Sequence, residues 1–255
     1  MAQQQLRFGT LRLMRDATLG MGAYGQVCKA TLDELPCAAK LLHPILVDPN
    51  NPRNRTRFEQ ECRFLSEIRH PNIVQYLGVG QDGETGLPVL LMELMDDSLT
   101  HFLEQSEEPL AYHVQVNISH DIALAVAFLH LNRIVHRDLS SNNVLLIGAG
   151  SRAKVTDFGM SKLTELNPRM TGLTKCPGTP AYMSPEALLD PPVYTEKLDC
   201  FQAGVLMIQT ITRKYPDPGP AMNRVRDARY PTGWANVPVP EVDRRQNHLS
   251  LIPHH

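Results

Sequence analysis

His136-Arg137-Asp138-Leu139-Ser140-Ser141-Asn142-Asn143 and, further on, Asp157-Phe158-Gly159 are the stretches around which the rest of this 255-residue chain is read. The first follows Ile118, Ile122, Ala125 and Leu129, whose i, i+4, i+7, i+11 spacing predicts a packed helix. The second follows the strand-like Ala153-Lys154-Val155-Thr156. Upstream, residues 12 to 42 alternate β-prone pieces with glycines, and Phe58, Cys62, Leu65 and Ile68 then recur at helical spacing. Residues 73 to 95 return to short apolar runs, ending in Leu90-Leu91-Met92-Glu93-Leu94-Met95, a buried strand running into a connector. Downstream the chain turns helical, and Thr195 to Thr212 carries a second long apolar helix. The polar run Asp48 to Arg57 and the Pro-rich segment after Tyr215 read as loops. The order predicts an α+β, bilobal fold: a small β-rich lobe with one main helix, a connector near Met95, and a larger, mainly helical lobe.

Composition excludes more than it selects. A formal net charge of -2 gives the chain no overall attraction to nucleic acid or anionic membrane. The five cysteines are scattered and form no C-x-x-C pair, which argues against a disulfide framework or a zinc site and fits a reducing compartment. The N-terminus lacks the basic and apolar regions of a signal peptide, and no stretch reads as the ~20 apolar residues of a membrane span. The expectation is a cytoplasmic protein with no nucleic-acid partner and no membrane span.

Gly20-Met21-Gly22-Ala23-Tyr24-Gly25-Gln26-Val27 sets three glycines between β-prone flanks, so backbone N–H groups can approach a phosphate without hindrance from Cβ. Alone it reads equally well as a Gly-rich hairpin turn. A dinucleotide-binding turn fits less well, because Val27 leads into another strand-like piece and no helix opens at the third glycine. Lys40 ends the apolar run Pro36-Cys37-Ala38-Ala39, which holds an ammonium near buried surface and calls for an anionic partner. Glu61, on the inward stripe Phe58, Glu61, Leu65, Ile68, is the candidate. Taken singly, each reads more simply as a surface charge with a snorkelling stem.

In this order, the glycine loop, the strand lysine, His136 to Asn143 and Asp157 to Gly159 resemble the motifs of the protein kinases, and chance agreement of all four is remote. The resemblance implies a kinase domain over 14–255, with 14–95 the N-lobe and hinge, 96–255 the C-lobe, and 1–13 an N-terminal extension. It implies ATP and Mg2+ as cofactors and a protein as substrate. Position by position, Lys40 holds the α- and β-phosphates and pairs with Glu61, Asn143 and Asp157 bind magnesium, and Asp138 orients the acceptor hydroxyl and takes its proton. Gly20, Gly22 and Gly25 cover the phosphates; Met92 is the gatekeeper; Glu93 to Met95 form the hinge; Val27, Ala38 and Leu145 sandwich adenine. Leu65, Tyr76, His136 and Phe158 fall where the family stacks a spine between the lobes, and Asp199 where it holds the catalytic loop by backbone hydrogen bonds. Asp157 to Glu186 resembles an activation segment, which favours a protein substrate over a small molecule. Arg137 is the family's partner for a phosphorylated segment, and Thr171 and Thr174 are candidate sites that read equally well as solvated loop threonines.

The chain also departs from the pattern. Ser140 stands where serine/threonine kinases usually carry Lys, and Asn142 where tyrosine kinases usually carry Arg. Gly178-Thr179 and Tyr182 resemble the serine/threonine type, and the whole is most similar to the tyrosine-kinase-like group, whose members mostly phosphorylate Ser or Thr. A Ser/Thr acceptor is therefore expected, with a tyrosine or dual-specificity kinase as the alternative. Glu241 to Ile252 resembles the start of the helix after the long central one, and the chain then stops at His255 where the family continues. The C-lobe is thus expected to be incomplete, and the competing reading is a kinase-like nucleotide-binding or scaffolding module with little transfer activity.

Overall fold

The computed structural model describes residues 10–22, 25–44, 52–106, 108–157, 179–184, 187 and 195–216. Strands β1 (Leu11–Gly22), β2 (Gly25–Leu32), β3 (Leu35–Leu42), β4 (Tyr76–Gln81) and β5 (Pro88–Glu93) form one antiparallel sheet in the order β1-β2-β3-β5-β4. The period-2 alternation of the sequence divides its two faces. Cys28, Ala30, Cys37, Ala39, Val89 and Leu91 pack on one face beneath Leu11 and Leu13. The residues between them, Val27, Ala38, Lys40 and Met92, fall on the other.

Helix α1 (Pro52–Glu67) crosses between β3 and β4 and packs Phe58 and Leu65 against Tyr76, Leu90 and Leu42. It begins inside the polar run read as a loop from sequence. The reason is local: proline is tolerated at the first helical position, where its missing N–H has no partner to lose.

A second sheet, β6 (Asp97–Ser98), β7 (Val144–Ile147) and β8 (Arg152–Val155), lies with helices α2 (Leu99–Gln105), α3 (Tyr112–Leu131) and α4 (Glu196–Thr212) around a larger core. The stripe Ile118, Ile122, Ala125, Leu129 of α3 is fully buried, as its spacing predicts. By length and apolarity alone α3 would suffice to cross a membrane, which corrects the expectation that no stretch approaches that limit. Here the helix is the core of the larger lobe, packed on α4 and β8. The two lobes are stitched together beyond the β5-to-β6 connector: Val74 N–H donates to Val155 O and Val155 N–H to Asn72 O, both at 2.9 Å. This carries the entry to β4 onto the strand that ends at the Asp157 motif.

Two features yield stability predictions. The β7–β8 turn places Gly148, Ala149 and Gly150 in the left-handed region, with φ of 63, 52 and 81°. Ala149 is exposed and bears the Cβ that this backbone disfavours by about 1–2 kcal/mol. After glycine's own entropic cost, Ala149→Gly is expected to raise stability by about 0.5 kcal/mol, read as a higher urea midpoint. The second feature ties β1 to the β4–β5 turn. Buried Asp82 accepts Arg15 Nη2 at 2.7 and 2.6 Å, the Glu84 N–H at 3.2 Å and the Thr85 hydroxyl. Burial alone would raise its pKa, but these donors outweigh burial and hold it below the ordinary value. The group's contribution is therefore complete above its unfolded pKa of about 4 and disappears as pH falls through the lower folded value. Asp82→Asn should flatten that acid limb of the stability curve, measured by urea unfolding at a series of pH values.

Candidate functional site

The site forms where the inner face of the first sheet meets the loop between α3 and β7. On β3, Lys40 lies opposite Val27 of β2 and Leu90 of β5, while Ala38 lies opposite Met92. Directly paired residues share a face, so Val27, Ala38, Lys40 and Met92 line one surface. Leu145, on β7 and opposite Ser98, comes from the other lobe. Gly20 lies opposite Val27 and Gly22 opposite Gly25 in the β1–β2 hairpin. The need for glycine is plainest at Gly25: with φ +140°, a Cβ there would collide with Leu41 O. That requirement comes from the approach of β2 to β3 and exists whatever the loop covers. Ala23 and Tyr24 lie outside the described residues.

Lys40 is 4% exposed, so its ammonium needs an anion close by. Its Nζ donates to Asp157 Oδ1 at 2.6 Å. Glu61 sits on α1, but its side chain lies outside the described residues, as do Phe158, Thr171, Thr174, Pro185 and Glu186. Asp157 itself is left-handed, φ 64°, a conformation Asp tolerates better than most residues. The turn is fixed from behind: Thr156 N–H donates to Asn143 O at 2.9 Å, and buried His136 places Nε2 2.8 Å from Thr156 O. Tyr76 is buried in a cluster against which Leu65 packs.

The loop carrying Asp138 is held by α4. Asp199, fully buried, accepts His136 N–H at 2.7 Å and Arg137 N–H at 2.9 Å, and its Oδ2 is also 2.9 Å from His130 Nε2. Gln202, one turn on, accepts Leu139 N–H and donates to Arg137 O. Asn143 donates Nδ2–H to Asp138 O at 2.7 Å, which leaves its Oδ1 as the acceptor it can offer a cation. Asp138 Oδ1 receives both the N–H and the hydroxyl of Thr179, at 2.9 and 3.1 Å. Asp138, Asn143, Asp157 and Lys40 are thus joined through one hydrogen-bonded framework.

The hinge candidates are placed differently from one another. Met95 is buried. Glu93 uses its N–H on Gln75 O at 2.9 Å, and its carboxylate takes the Gln75 N–H and Lys154 Nζ, each at 2.6 Å. Its side chain is a strut between β5 and β8. Lys154, Gln202 and Thr179 escaped the sequence reading as site-supporting residues. Gln202 had a signal in its i+3 position from Asp199 on one helix face, and Thr179 one in the Gly178-Thr179 pair read as a mark of the serine/threonine type.

No cluster of three His, Cys, Asp or Glu side chains able to hold a metal occurs among the described residues. Asn143 and Asp157 supply two hard oxygens. That set suits a cation that completes its shell with phosphate and water oxygens, as magnesium does, and does not suit zinc.

The chain matches the model of the protein kinase domain over residues 13–238. It is 36% identical over 201 residues to a probable serine/threonine-protein kinase of Dictyostelium discoideum, covering 78% of this chain and 32% of that one. A match to MDIS1-interacting receptor like kinase 2 of Arabidopsis thaliana is 35% identical over 205 residues, 78% of this chain and 19% of the relative. The dual specificity protein kinase shkC of Dictyostelium discoideum is 30% identical over 201 residues, covering 78% of this chain and 38% of the relative. The chain therefore spans well under half the length of each of these relatives.

Proposed function

The chain belongs to the protein kinase family, and from that premise we propose that it transfers the γ-phosphoryl of Mg-ATP to a Ser or Thr hydroxyl of a protein, as a member of the tyrosine-kinase-like group. The observation that carries the reading is the Lys40–Asp157 ion pair at 2.6 Å on the same framework as Asp138 and Asn143. Phosphoryl transfer asks a protein for positioning and charge neutralisation more than for covalent chemistry. When bound, magnesium ATP supplies the electrophilic γ-phosphoryl. Lys40 binds the α- and β-phosphates, Asn143 Oδ1 and the Asp157 carboxylate hold the cation, and Asp138 orients the acceptor hydroxyl and takes up its proton. Val27, Ala38 and Leu145 would enclose adenine, with Met92 as gatekeeper and Glu93 to Met95 as the hinge. With Ser140 in place of a lysine, one cation near the transferring group is absent, which lowers the rate without removing the rest of the set. A cytoplasmic setting belongs to the same proposal, supported by five scattered cysteines that form no C-x-x-C pair.

The test is incorporation of labelled γ-phosphate into a generic protein substrate and into the chain itself. Native chain is expected to incorporate label and folded Lys40→Met to lose it by about 10²-fold or more. No incorporation by folded native chain overturns the reading in favour of a non-catalytic nucleotide-binding module. Phosphoamino-acid analysis then decides the acceptor, phosphotyrosine alongside phosphoserine supporting the dual specificity named for one relative.

A further inference from the structure

Ser141 has no part in the reaction as proposed, yet it is wholly buried in the catalytic loop, opening the 3₁₀ turn Ser141–Asn143. Its Oγ lies 2.6 Å from Thr100 Oγ1, 2.8 Å from Tyr182 OH and 3.4 Å from Gln209 Nε2. The Tyr182 hydroxyl donates to Gln209 Oε1 at 2.6 Å. Counting protons gives a direction to every one of these bonds. Tyr182 has one proton and gives it to Gln209, so Ser141 must be the donor to Tyr182. The single Ser141 proton is then committed, so the Thr100 hydroxyl and the Gln209 amide both donate to Ser141. Burial pushes the Tyr182 phenol up to about 12, against the lowering effect of its Ser141 bond, so the proton on which this count depends stays in place. The result is a closed ring, Ser141 to Tyr182 to Gln209 and back, with Thr100 feeding it.

The ring joins α2, the catalytic loop, the turn Pro180–Tyr182 and α4. Tyr182 follows Thr179, whose two donors load Asp138 Oδ1. Ser141 stands between Asp138 and Asn143. With Asp199 and Gln202 gripping residues 136 to 139, Gln209 adds a third point of attachment further along the same helix. We infer that Ser141 is a positioning residue, which through Tyr182 and Gln209 fixes the loop segment from Asp138 to Asn143 and the seat of Thr179 on the Asp138 carboxylate. Its consequence for rate rests on the kinase reading; its consequence for loop order does not.

Ser141→Ala leaves the Tyr182 oxygen without its donor and two donors without an acceptor. In the folded full chain it is expected to lower kcat about tenfold with KM for ATP changed less than about twofold, since only positioning is lost. Amide hydrogen exchange of residues 136 to 143 should quicken about tenfold in the same variant. Tyr182→Phe carries the same two readouts should Ser141→Ala not fold. The double variant removes both ends of one bond and should lose less than the two single variants together. Ile122→Val, a core change in α3, should lower the melting temperature with neither effect. Native exchange and native kcat in Ser141→Ala, or equal changes in Ile122→Val, overturn the inference. If native chain transfers no phosphate, that counts against the kinase reading, while exchange still decides whether the ring orders the loop.

Discussion

Asp138→Asn is expected to lower phosphate transfer by about 10²–10⁴-fold, the range for removal of a positioned general base, and to leave the melting temperature close to native. The two halves of that expectation come from different atoms of one side chain. Asn retains an Oδ1 that can accept the N–H and hydroxyl of Thr179, the two bonds that hold the carboxylate at 2.9 and 3.1 Å. It cannot take up a proton from an acceptor hydroxyl. Transfer should therefore fail while the tie to Thr179 survives, which separates chemistry from packing. Initial rates of labelled phosphate incorporation, beside thermal unfolding of the same preparations, measure both. A native rate in Asp138→Asn would remove Asp138 from the role of base. A melting temperature lowered along with the rate would mean that the Thr179 bonds need the full carboxylate charge.

What the sequence disclosed about this site, and what it withheld, divides along the range of the forces involved. Strands β1 to β5, α1, α3 and α4 were legible because each carries a local period, and a period is visible in one segment alone. The start of α1 at Pro52 was not, because the polar residues around it mimic a loop and only the proline's position in the helix reveals the end. Strands β6 and β7 are too short to show alternation, and β6 exists only because Asp97 and Ser98 find Leu146 and Leu145 far along the chain. Site residues followed the same rule. Lys40, Asp138, Asn143 and Asp157 are marked by motif, whereas the partner that Lys40 meets in the described residues, Asp157, lies 117 positions away and on another lobe. The supports are harder still. Nothing local in a glutamine at 202 or 209 says that it faces the catalytic loop; that follows once Asp199 fixes which face of α4 looks there.

Asp199→Ala is expected to cost about 2–6 kcal/mol of stability, the scale of leaving two buried N–H groups without their acceptor. The carboxylate is fully buried and serves three donors at once: His136 N–H, Arg137 N–H and the His130 ring. Just past these two N–H groups Arg137 is left-handed, with φ 72°, which turns the chain into Asp138. For a residue with a Cβ that conformation costs about 1–2 kcal/mol, so it persists only while something over-determines it. Alanine removes the acceptor and leaves two N–H groups unsatisfied in the interior, each worth about 1–3 kcal/mol. Asparagine should not rescue, since its amide would place N–H donors against one of the two backbone N–H groups. His130→Ala, which takes away one donor and leaves the carboxylate its two backbone bonds, should cost less, about 1–2 kcal/mol. Urea unfolding of the three variants tests the order. Against a typical domain stability of about 5–15 kcal/mol, Asp199→Ala leaves a chain that is folded at low temperature but close to its limit. Because Arg137 immediately precedes Asp138, relaxation of Arg137 toward an ordinary φ would also swing the Asp138 carboxylate away from Asn143. Transfer should then fall in Asp199→Ala even at temperatures where circular dichroism reports a native helix content. An unchanged unfolding midpoint would mean that Gln202 and the Ser141 ring hold the loop without Asp199.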